Sequence, residues 1–227
     1  MRHFTPRIII GLLTFTIGVI AATVWMIQHR LPIRMEEISS LCLFETNENI
    51  ATKRFTPNFY FLRQTFNADA DEDQFKIDWY SKHLAAMNEP SLQPRAGCPE
   101  ESYRFLWLRS FQAPIAVRVW QASPKRFFII SKQLSGKGGY EPGSLSNEKM
   151  RPLTEDEWNT FTQLLSQASF WKLPTEDEMI DGNDGAQWIL EGVKEDNYHI
   201  VDRWSPPNSS YRACCLYLLK LSELEID

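Results

Sequence analysis

The stretch GAQWILEGVKEDNYHIVDRWSPP, residues 185–207, decides the fold into which the rest of the chain must fit. It contains two runs rich in apolar residues, GAQWILEGV and YHIVDRW, which residues 194–197 separate as a polar turn. Two such runs around a short turn are typical of a β-hairpin. We therefore expect an antiparallel pair of strands in which Val193 lies opposite Tyr198.

This register gives the hairpin two distinct faces. It places Trp188 opposite Arg203 and His199 opposite Gly192 on one face. A tryptophan ring beneath a guanidinium group is a cation–π pair that contributes about 0.5 to 2 kcal/mol. Trp188 and Arg203 are therefore candidates for a structural or binding role. The opposite face of the hairpin would carry Ile189, Glu191, Ile200 and Asp202.

An active site is the alternative interpretation of the same stretch. A one-residue β-bulge would move His199 beside Glu191 and create a histidine–carboxylate pair, the minimum for general base catalysis. Asp184 is the other carboxylate that could serve His199. The sequence contains no Gly-x-Ser-x-Gly motif and no reactive-cysteine motif that would supply a nucleophile. The pattern therefore favours a structural hairpin, with a hydrolase using His199 and Glu191 or Asp184 as the alternative.

The amino-terminal residues 8–27, IIIGLLTFTIGVIAATVWMI, form a run of 20 residues without a charge. At about 1.5 Å rise per residue, a helix of this length spans a bilayer core of roughly 30 Å. A cleaved signal peptide is the alternative, because Val19 and Ala21 fit the small positions before a cleavage site. Residues 24–27 prolong the apolar run past that point, so we expect an uncleaved, single-pass transmembrane anchor.

Charge indicates where the remainder of the chain resides and what it does not bind. Arg2 and Arg7 before the apolar run are matched by Arg30 and Arg34 after it, so the positive-inside rule barely distinguishes the two orientations across the membrane. Of the two, we expect the one that places the domain outside the cytoplasm, at the cell membrane. Beyond residue 30 the chain has 21 basic residues against 29 acidic ones, a net charge of −8. An acidic domain without a basic block argues against nucleic acid as a partner.

The pattern of the chain predicts three regions: an anchor with a short flank (1–30), a juxtamembrane helix and linker (31–56), and one globular α+β domain (57–227). We expect an antiparallel sheet of about five or six strands, including two hairpins, packed against two to four helices. PNFYFLRQTF at residues 57–66 reads as a strand. A helix from about Asp73 to Met87 would bury the apolar side chains Phe75, Trp79, Tyr80, Leu84 and Met87.

The middle of the chain reads as strands followed by a capped helix. YRFLWLRSF, PIAVRVW and RFFIISKQL have no helical period and predict three strands, with Ser123-Pro124 turning the second into the third. Residues 135–149, SGKGGYEPGSLSNEK, read as a long loop. The next segment, PLTEDEWNTFTQLLSQA, predicts a helix capped by Thr154 and Glu157, with Trp158 at the start of its buried stripe.

The four cysteines allow disulfides in an oxidising compartment. Cys214 and Cys215 are adjacent on the predicted last helix and cannot bridge each other without severe strain. We therefore expect Cys42 and Cys98 each to pair with one of them. The alternative is four buried thiols in a reduced protein.

The remaining motifs are weak as binding sites. Asp69, Asp71 and Asp73 follow the alternate spacing of a calcium loop, but Gln74 stands where glycine is required and Tyr80 where the bidentate glutamate should be. They favour a solvated loop before a helix. The glycines in GKGGYEPG lack phosphate-loop spacing and predict a turned β connection, with Tyr140 as a binding candidate. The sequence predicts no metal and no cofactor.

Several segments resemble an uncharacterised family of bacterial proteins, and the resemblance extends over residues 103–221. They are FLWLRSF with PIAVRV, GKGGYEPG, DGAQWILEGV, YHIVDRWSP and YRACCLYLLKLS. The resemblance implies a bacterial source and assigns no reaction, ligand or functional residue. From the residues alone we expect a membrane-anchored, non-enzymatic domain that binds a protein or an envelope component.

Overall fold

The computed structural model of the protein describes residues 60–66, 69–93, 101–177, 182 and 184–226, all of them within the compact unit Cys42–Asp227. These residues form six strands, three α-helices and one 3-10 turn at Phe170–Lys172. The elements are α1 (Ala70–Ala86), β1 (Glu101–Arg109), β2 (Ile115–Ser123), β3 (Arg126–Leu134), β4 (Leu145–Leu153), α2 (Glu155–Gln167), β5 (Ala186–Lys194), β6 (Asn197–Trp204) and α3 (Ser210–Leu221).

The strands form one sheet in the order β4-β3-β2-β1-β5-β6, and every neighbouring pair is antiparallel. Strands β1 to β4 follow one another as hairpins. The chain then crosses through α2, so that β5 pairs with the free side of β1. The predicted α+β class with an antiparallel sheet is therefore confirmed, and β4 and β6 are the edge strands.

The β5–β6 hairpin has the register that the sequence predicts. Val193 lies opposite Tyr198, Gly192 opposite His199 and Trp188 opposite Arg203, without a bulge. The β2–β3 hairpin is confirmed as well, since Ser123 pairs with Arg126 across its turn. Short turns and the assignment of side chains to two different cores determine both pairings, because a slip by one residue would move every side chain to the opposite face of the sheet.

Helices α2 and α3 cover one face of the sheet. Thr154 and Glu157 form the predicted capping box at the start of α2, which satisfies two otherwise unpaired backbone N–H groups. Trp158 is 5% exposed and stacks on Phe127 of β3, with ring centroids 4.7 Å apart. The core on this face also contains Phe105, Val117, Ile129, Leu190, Val201, Phe161, Leu165 and Leu218.

Helix α1 covers the other face. Its buried stripe contains Ile77, Tyr80 and Leu84, at the i, i+3 and i+7 positions of one helical face. The expectation that Phe75 belongs to this stripe is wrong, because Phe75 is 64% exposed. Trp79 is half-buried and lies beside the stripe rather than in it.

Two predicted segments have different structures. Residues 60–66 form bends and turns rather than a strand, because the buried carboxylate of Asp73 accepts hydrogen bonds from the backbone N–H groups of Gln64 (2.6 Å) and Phe66 (2.8 Å). The segment is thereby held against the start of α1. The predicted loop at residues 135–149 ends in β4, a polar edge strand that pairs with β3.

The predicted anchor at residues 8–27 and the juxtamembrane segment lie outside the described residues. Among the helices that the structure describes, none combines the length and the apolar character needed to cross a bilayer.

Candidate binding cleft

His199 and Glu191 lie on opposite faces of the sheet, so the structure does not bring this pair together. His199 is half-buried, and its ring centroid is 5.1 Å from that of Phe170 on the α2 side. Burial lowers the pKa of this histidine. Asp184 precedes β5, whereas His199 pairs with Gly192 near the other end of that strand. The eight residues from Asp184 to Gly192 span roughly 25 Å of extended chain. Neither carboxylate stands beside the imidazole.

Glu191 belongs instead to a buried ionic cluster beneath α1. It accepts hydrogen bonds from Nε of Arg104 (2.7 Å) and from the hydroxyl of Tyr198 (3.0 Å). Arg104 is fully buried and also faces Glu89, three residues after the end of α1. Burial raises the pKa of Glu191. Its hydrogen bonds to side chains of β1 and β6 give it a structural role within the sheet.

Glu89 is the centre of the same cluster. Its carboxylate accepts a hydrogen bond from Nε of Arg118 (2.8 Å) and lies 3.0 Å from Nζ of Lys132. Burial raises the pKa of Glu89, but the opposing charges of Arg118, Lys132 and Arg104 outweigh it and hold the pKa well below its ordinary value. Removing this carboxylate would leave three buried cations without their shared counter-ion.

The cation over Trp188 is Arg212 of α3, not Arg203 as the sequence suggested. The guanidinium carbon of Arg212 is 4.7 Å from the ring centroid. Arg203 points towards the edge of the sheet, where it donates hydrogen bonds to the carbonyl oxygens of Thr175 and Pro174, each over 2.8 Å. Pairing in the hairpin places the backbones of Trp188 and Arg203 side by side. Helix α3, however, lies over the indole ring, so the guanidinium group closest to that ring belongs to Arg212.

Two of the cysteines lie in the core, and Asp69 and Asp73 of the aspartate triplet bind backbone groups of the protein. Cys214 and Cys215 are fully buried in the core under α3 and form no disulfide with a described residue, and burial raises both thiol pKa values. Cys42 and Cys98 lie outside the described residues, so their pairing stays a prediction. Asp69 caps α1, and Asp73 accepts the two backbone hydrogen bonds described above. Within the described ranges no group of acidic, histidine or cysteine side chains is arranged to hold a metal ion.

A concave surface lies along α1, and we call it the aromatic cleft. It consists of two adjoining cavities of about 390 and 300 Å³. Both are lined by Phe75, Trp79 and Trp204, so the three rings form the ridge between them. Tyr140, which is 57% exposed, lines the larger cavity. Four aromatic side chains from three separate parts of the chain therefore meet at one surface.

Tyr140 and Trp79 are positioned by the loop between β3 and β4. Gly138 of this loop lies so close to β1 that an added Cβ would be 2.7 Å from the backbone nitrogen of Arg109. Its N–H donates to the carbonyl of Gln112 (3.0 Å), and its carbonyl accepts from the indole N–H of Trp79 (2.8 Å). The glycine permits the close approach that sets Tyr140 on the rim of the cleft, beside the exposed ring of Phe111.

The smaller cavity has a polar floor around Asp202 of β6. This carboxylate is 3% exposed, and it accepts hydrogen bonds from the hydroxyl of Tyr80 (2.9 Å) and from the side-chain amide of Gln187. Nζ of Lys76 lies 3.4 Å from it and is also paired with Glu176. Burial raises the pKa of Asp202. The floor is internally paired, and it places a fixed set of polar groups below the aromatic ridge.

The cleft was only partly visible in the sequence. Tyr140 is a predicted binding residue that lines it, and Arg203 lines the smaller cavity. Trp188, the third candidate, is 2% exposed in the core of the opposite face. The sequence did not indicate Phe75 and Trp204 as residues that line a cleft at the surface. The available signal was the position of Phe75, which is two residues from Ile77 and therefore points away from the buried stripe of α1.

Comparison with protein-family models and with curated proteins finds no match to this chain. The fold places the described part of the chain in the α+β class, as an antiparallel sheet with helices on both faces. Its candidate site is the aromatic cleft, which is lined by aromatic and charged side chains.

Proposed function

We propose that this protein is a membrane-anchored, non-enzymatic domain that binds a protein or an envelope component through its aromatic cleft. The observation that carries the proposal is the concave surface around Phe75, Trp79 and Trp204. Binding sites are typically concave, with volumes of about 300 to 1,000 Å³, apolar walls and a few fixed polar groups. Both cavities are within this range, and the floor around Asp202 supplies such groups.

The exposure of large aromatic rings supports a binding role. Phe75 and Tyr140 each leave more than half of their surface in water. Contiguous apolar patches on a folded protein mark interaction sites more often than isolated exposed residues do. Aromatic side chains also dominate the energetics of interfaces, because they bury a large area with few rotatable bonds. The rings of the cleft therefore suit a contact that covers them.

The hydrolase alternative has less support. Its base and carboxylate, His199 and Glu191, point to opposite sides of the sheet, and Glu191 is engaged by Arg104. General base catalysis needs the two groups within hydrogen-bonding reach. A binding role requires no such rearrangement.

Anchoring by residues 8–27 is the second part of the proposal, and cell fractionation tests it. We expect the full-length chain to sediment with membranes and to resist extraction by high salt and by alkaline carbonate. Sequencing of the amino terminus should recover residues that precede the apolar run. A soluble product beginning near Ala22 would show that the segment is a cleaved signal peptide.

Affinity capture from native membranes tests the binding role. The tagged full-length protein and its Phe75→Ala variant should recover different sets of partners, because the variant lacks the most exposed ring of the cleft. Leu216→Ala is the matched control, since Leu216 is 43% exposed on α3, across the sheet from the cleft. The binding role is contradicted if wild type and Phe75→Ala recover the same material in the same amounts.

A further inference from the structure

The lining of the aromatic cleft is acidic as well as aromatic. Its two cavities contain five acidic side chains against three basic ones, a formal net charge of −2. The acidic residues are Glu72, Asp78, Glu176, Asp177 and Asp202, and the basic ones are Lys76, Lys82 and Arg203. The excess of negative charge therefore lies at the same place as the exposed rings.

The basic groups of the cleft are directed towards partners within the protein. Lys76 is paired with Glu176 and Asp202. The guanidinium of Arg203 donates to three backbone carbonyls, including that of Thr175. Lys82 lies 3.5 Å from Glu141 on the loop. Lys76 and Lys82 are thus ion-paired within the protein, and the donors of Arg203 are occupied by carbonyl oxygens.

The acidic groups at the mouth stand nearer to solvent. The side chain of Asp177 is 74% exposed, and it lies 3.9 Å from Nε of Arg203. Asp78 is exposed on α1 and accepts a hydrogen bond from the side-chain amide of Gln74 (2.8 Å), which leaves its charge uncompensated by that neutral donor. A ligand that approaches the ridge of rings therefore passes the exposed carboxylates of Asp78 and Asp177.

Aromatic faces next to carboxylates form the chemistry that recognises cations. The negative face of an indole or phenyl ring attracts an ammonium or guanidinium group placed over it. Carboxylates near such rings add Coulomb attraction, which is stronger when the ligand displaces water. Anionic and neutral ligands gain neither contribution.

We propose that the aromatic cleft accepts lysine or arginine side chains of a basic segment in a partner protein. This inference rests on the proposed function and names the chemistry of the ligand. A peptide segment fits better than a single small ammonium ion, because one ion occupies a small part of either cavity. Successive side chains of a segment can enter both cavities around Phe75 and Trp204.

Calorimetric titration of the full chain with a hexalysine peptide tests the inference. The protein is placed in nanodiscs of zwitterionic phosphatidylcholine, and empty nanodiscs correct for peptide bound to lipid. We expect saturable binding that weakens as salt rises, because exposed charges are screened. Hexaglutamate should not bind, and tetramethylammonium should bind more weakly than hexalysine.

Two variants and two matched controls locate the binding. Phe75→Ala should weaken hexalysine binding about 2- to 30-fold, the range of one cation–π contact. Asp78→Asn should weaken it severalfold with little change of shape. Leu216→Ala and Asp156→Asn alter an exposed apolar side chain on α3 and an exposed carboxylate on α2, and they should leave the affinity unchanged.

The inference is overturned if hexalysine does not bind, if hexaglutamate or tetramethylammonium binds at least as tightly, or if Phe75→Ala has no effect. The proposed function is judged separately by capture from native membranes. A Phe75-dependent partner combined with no hexalysine binding would leave the binding role intact and refute the cationic ligand. Failure of both experiments would refute both proposals.

Discussion

Trp79 donates its indole N–H to the carbonyl oxygen of Gly138 over 2.8 Å, which fixes one side chain of α1 to the loop between β3 and β4. The contact joins the two walls of the aromatic cleft, since Trp79 lies on one wall and Tyr140 on the other. A nearby ion pair, Lys82 with Glu141, is exposed and contributes little. This hydrogen bond and the close approach of Gly138 to β1 therefore hold the loop against α1 and the sheet.

Trp79→Phe tests that relationship. The variant keeps an aromatic ring but leaves the buried carbonyl of Gly138 without its donor, which should lower the free energy of unfolding by about 1 to 3 kcal/mol. Urea denaturation provides the measurement. Tyr140→Phe removes an exposed hydroxyl from the opposite wall and should change stability by less than about 0.5 kcal/mol. Equal stability of both variants would show that the hydrogen bond does not hold the loop.

The capping box of α2 predicts a second stability difference. Thr154→Ala removes the side-chain oxygen that accepts from the Glu157 backbone N–H and should cost about 0.5 to 2 kcal/mol. Thr160→Ala, at an exposed position within the same helix, should be neutral or slightly stabilising because alanine favours helix. Trp158→Ala should cost about 3 to 5 kcal/mol through the cavity it leaves beside Phe127. Thermal and urea unfolding that fail to separate the two threonine variants would contradict the cap.

Glu89→Gln should destabilise the protein strongly, and its effect should depend on pH. At pH 7 the variant removes the carboxylate that Arg104, Arg118 and Lys132 share, although Arg104 keeps its pair with Glu191. This change should lower the free energy of unfolding by about 3 to 5 kcal/mol. Because the folded-state pKa of Glu89 lies below its unfolded value, the stability it contributes is complete above the unfolded pKa and is lost as pH falls towards the folded one. The gap between wild type and variant should therefore narrow below about pH 4.

Chemical denaturation at pH 7, 5 and 3 measures this gap, and other titrating groups cancel because both proteins carry them. Glu148→Gln is the control. Glu148 lies 3.5 Å from the buried Lys132, but its side chain is 46% exposed, so its loss should cost at most about 1 kcal/mol. A gap for Glu89→Gln that stays constant from pH 7 to pH 3 would contradict the assigned role of its charge.

The pairing of Arg212 with Trp188 predicts a coupling energy. A double-mutant cycle with Arg212→Gln and Trp188→Leu should give about 0.5 to 2 kcal/mol. The same cycle with Arg203→Gln in place of Arg212→Gln should give a coupling close to zero, because Arg203 donates to the carbonyl oxygens of Pro174 and Thr175 instead. A larger coupling for Arg203 would restore the pairing that the sequence suggested.

Local patterns explain which parts of the fold the sequence predicts. The β5–β6 register follows from alternation and a short turn, and the cap of α2 follows from Thr154 and Glu157, three residues apart. Strand β4 was missed because LSNEKMRPL is mostly polar, and its apolar residues Leu145, Met150 and Leu153 do not alternate. An edge strand whose side chains are mostly exposed needs no apolar alternation. Residues 60–66 were predicted as a strand because they are rich in aromatic side chains. Tyr60, Phe61 and Phe66 are indeed buried, but Asp73 holds the segment in turns.

The aromatic cleft could not be predicted in the same way, because its parts are distant in sequence. Phe75, Tyr140 and Trp204 come from α1, a loop and the end of β6, and tertiary packing alone brings them together. Tyr140 was identified as a candidate, but without its neighbours. The period of α1 places Phe75 away from Ile77, yet aromatic residues are so often buried that the sequence favours the core for both.

Site-specific photo-cross-linking in native membranes tests the binding role of the cleft most directly. A benzophenone side chain is introduced at Phe75, at Tyr140 and, as a control on the opposite side of the sheet, at Leu216. We predict that illumination yields the same discrete adduct from Phe75 and Tyr140 and no such adduct from Leu216. An absence of adducts at both cleft positions, or the same adduct from Leu216, would contradict the assignment of the aromatic cleft as the binding surface.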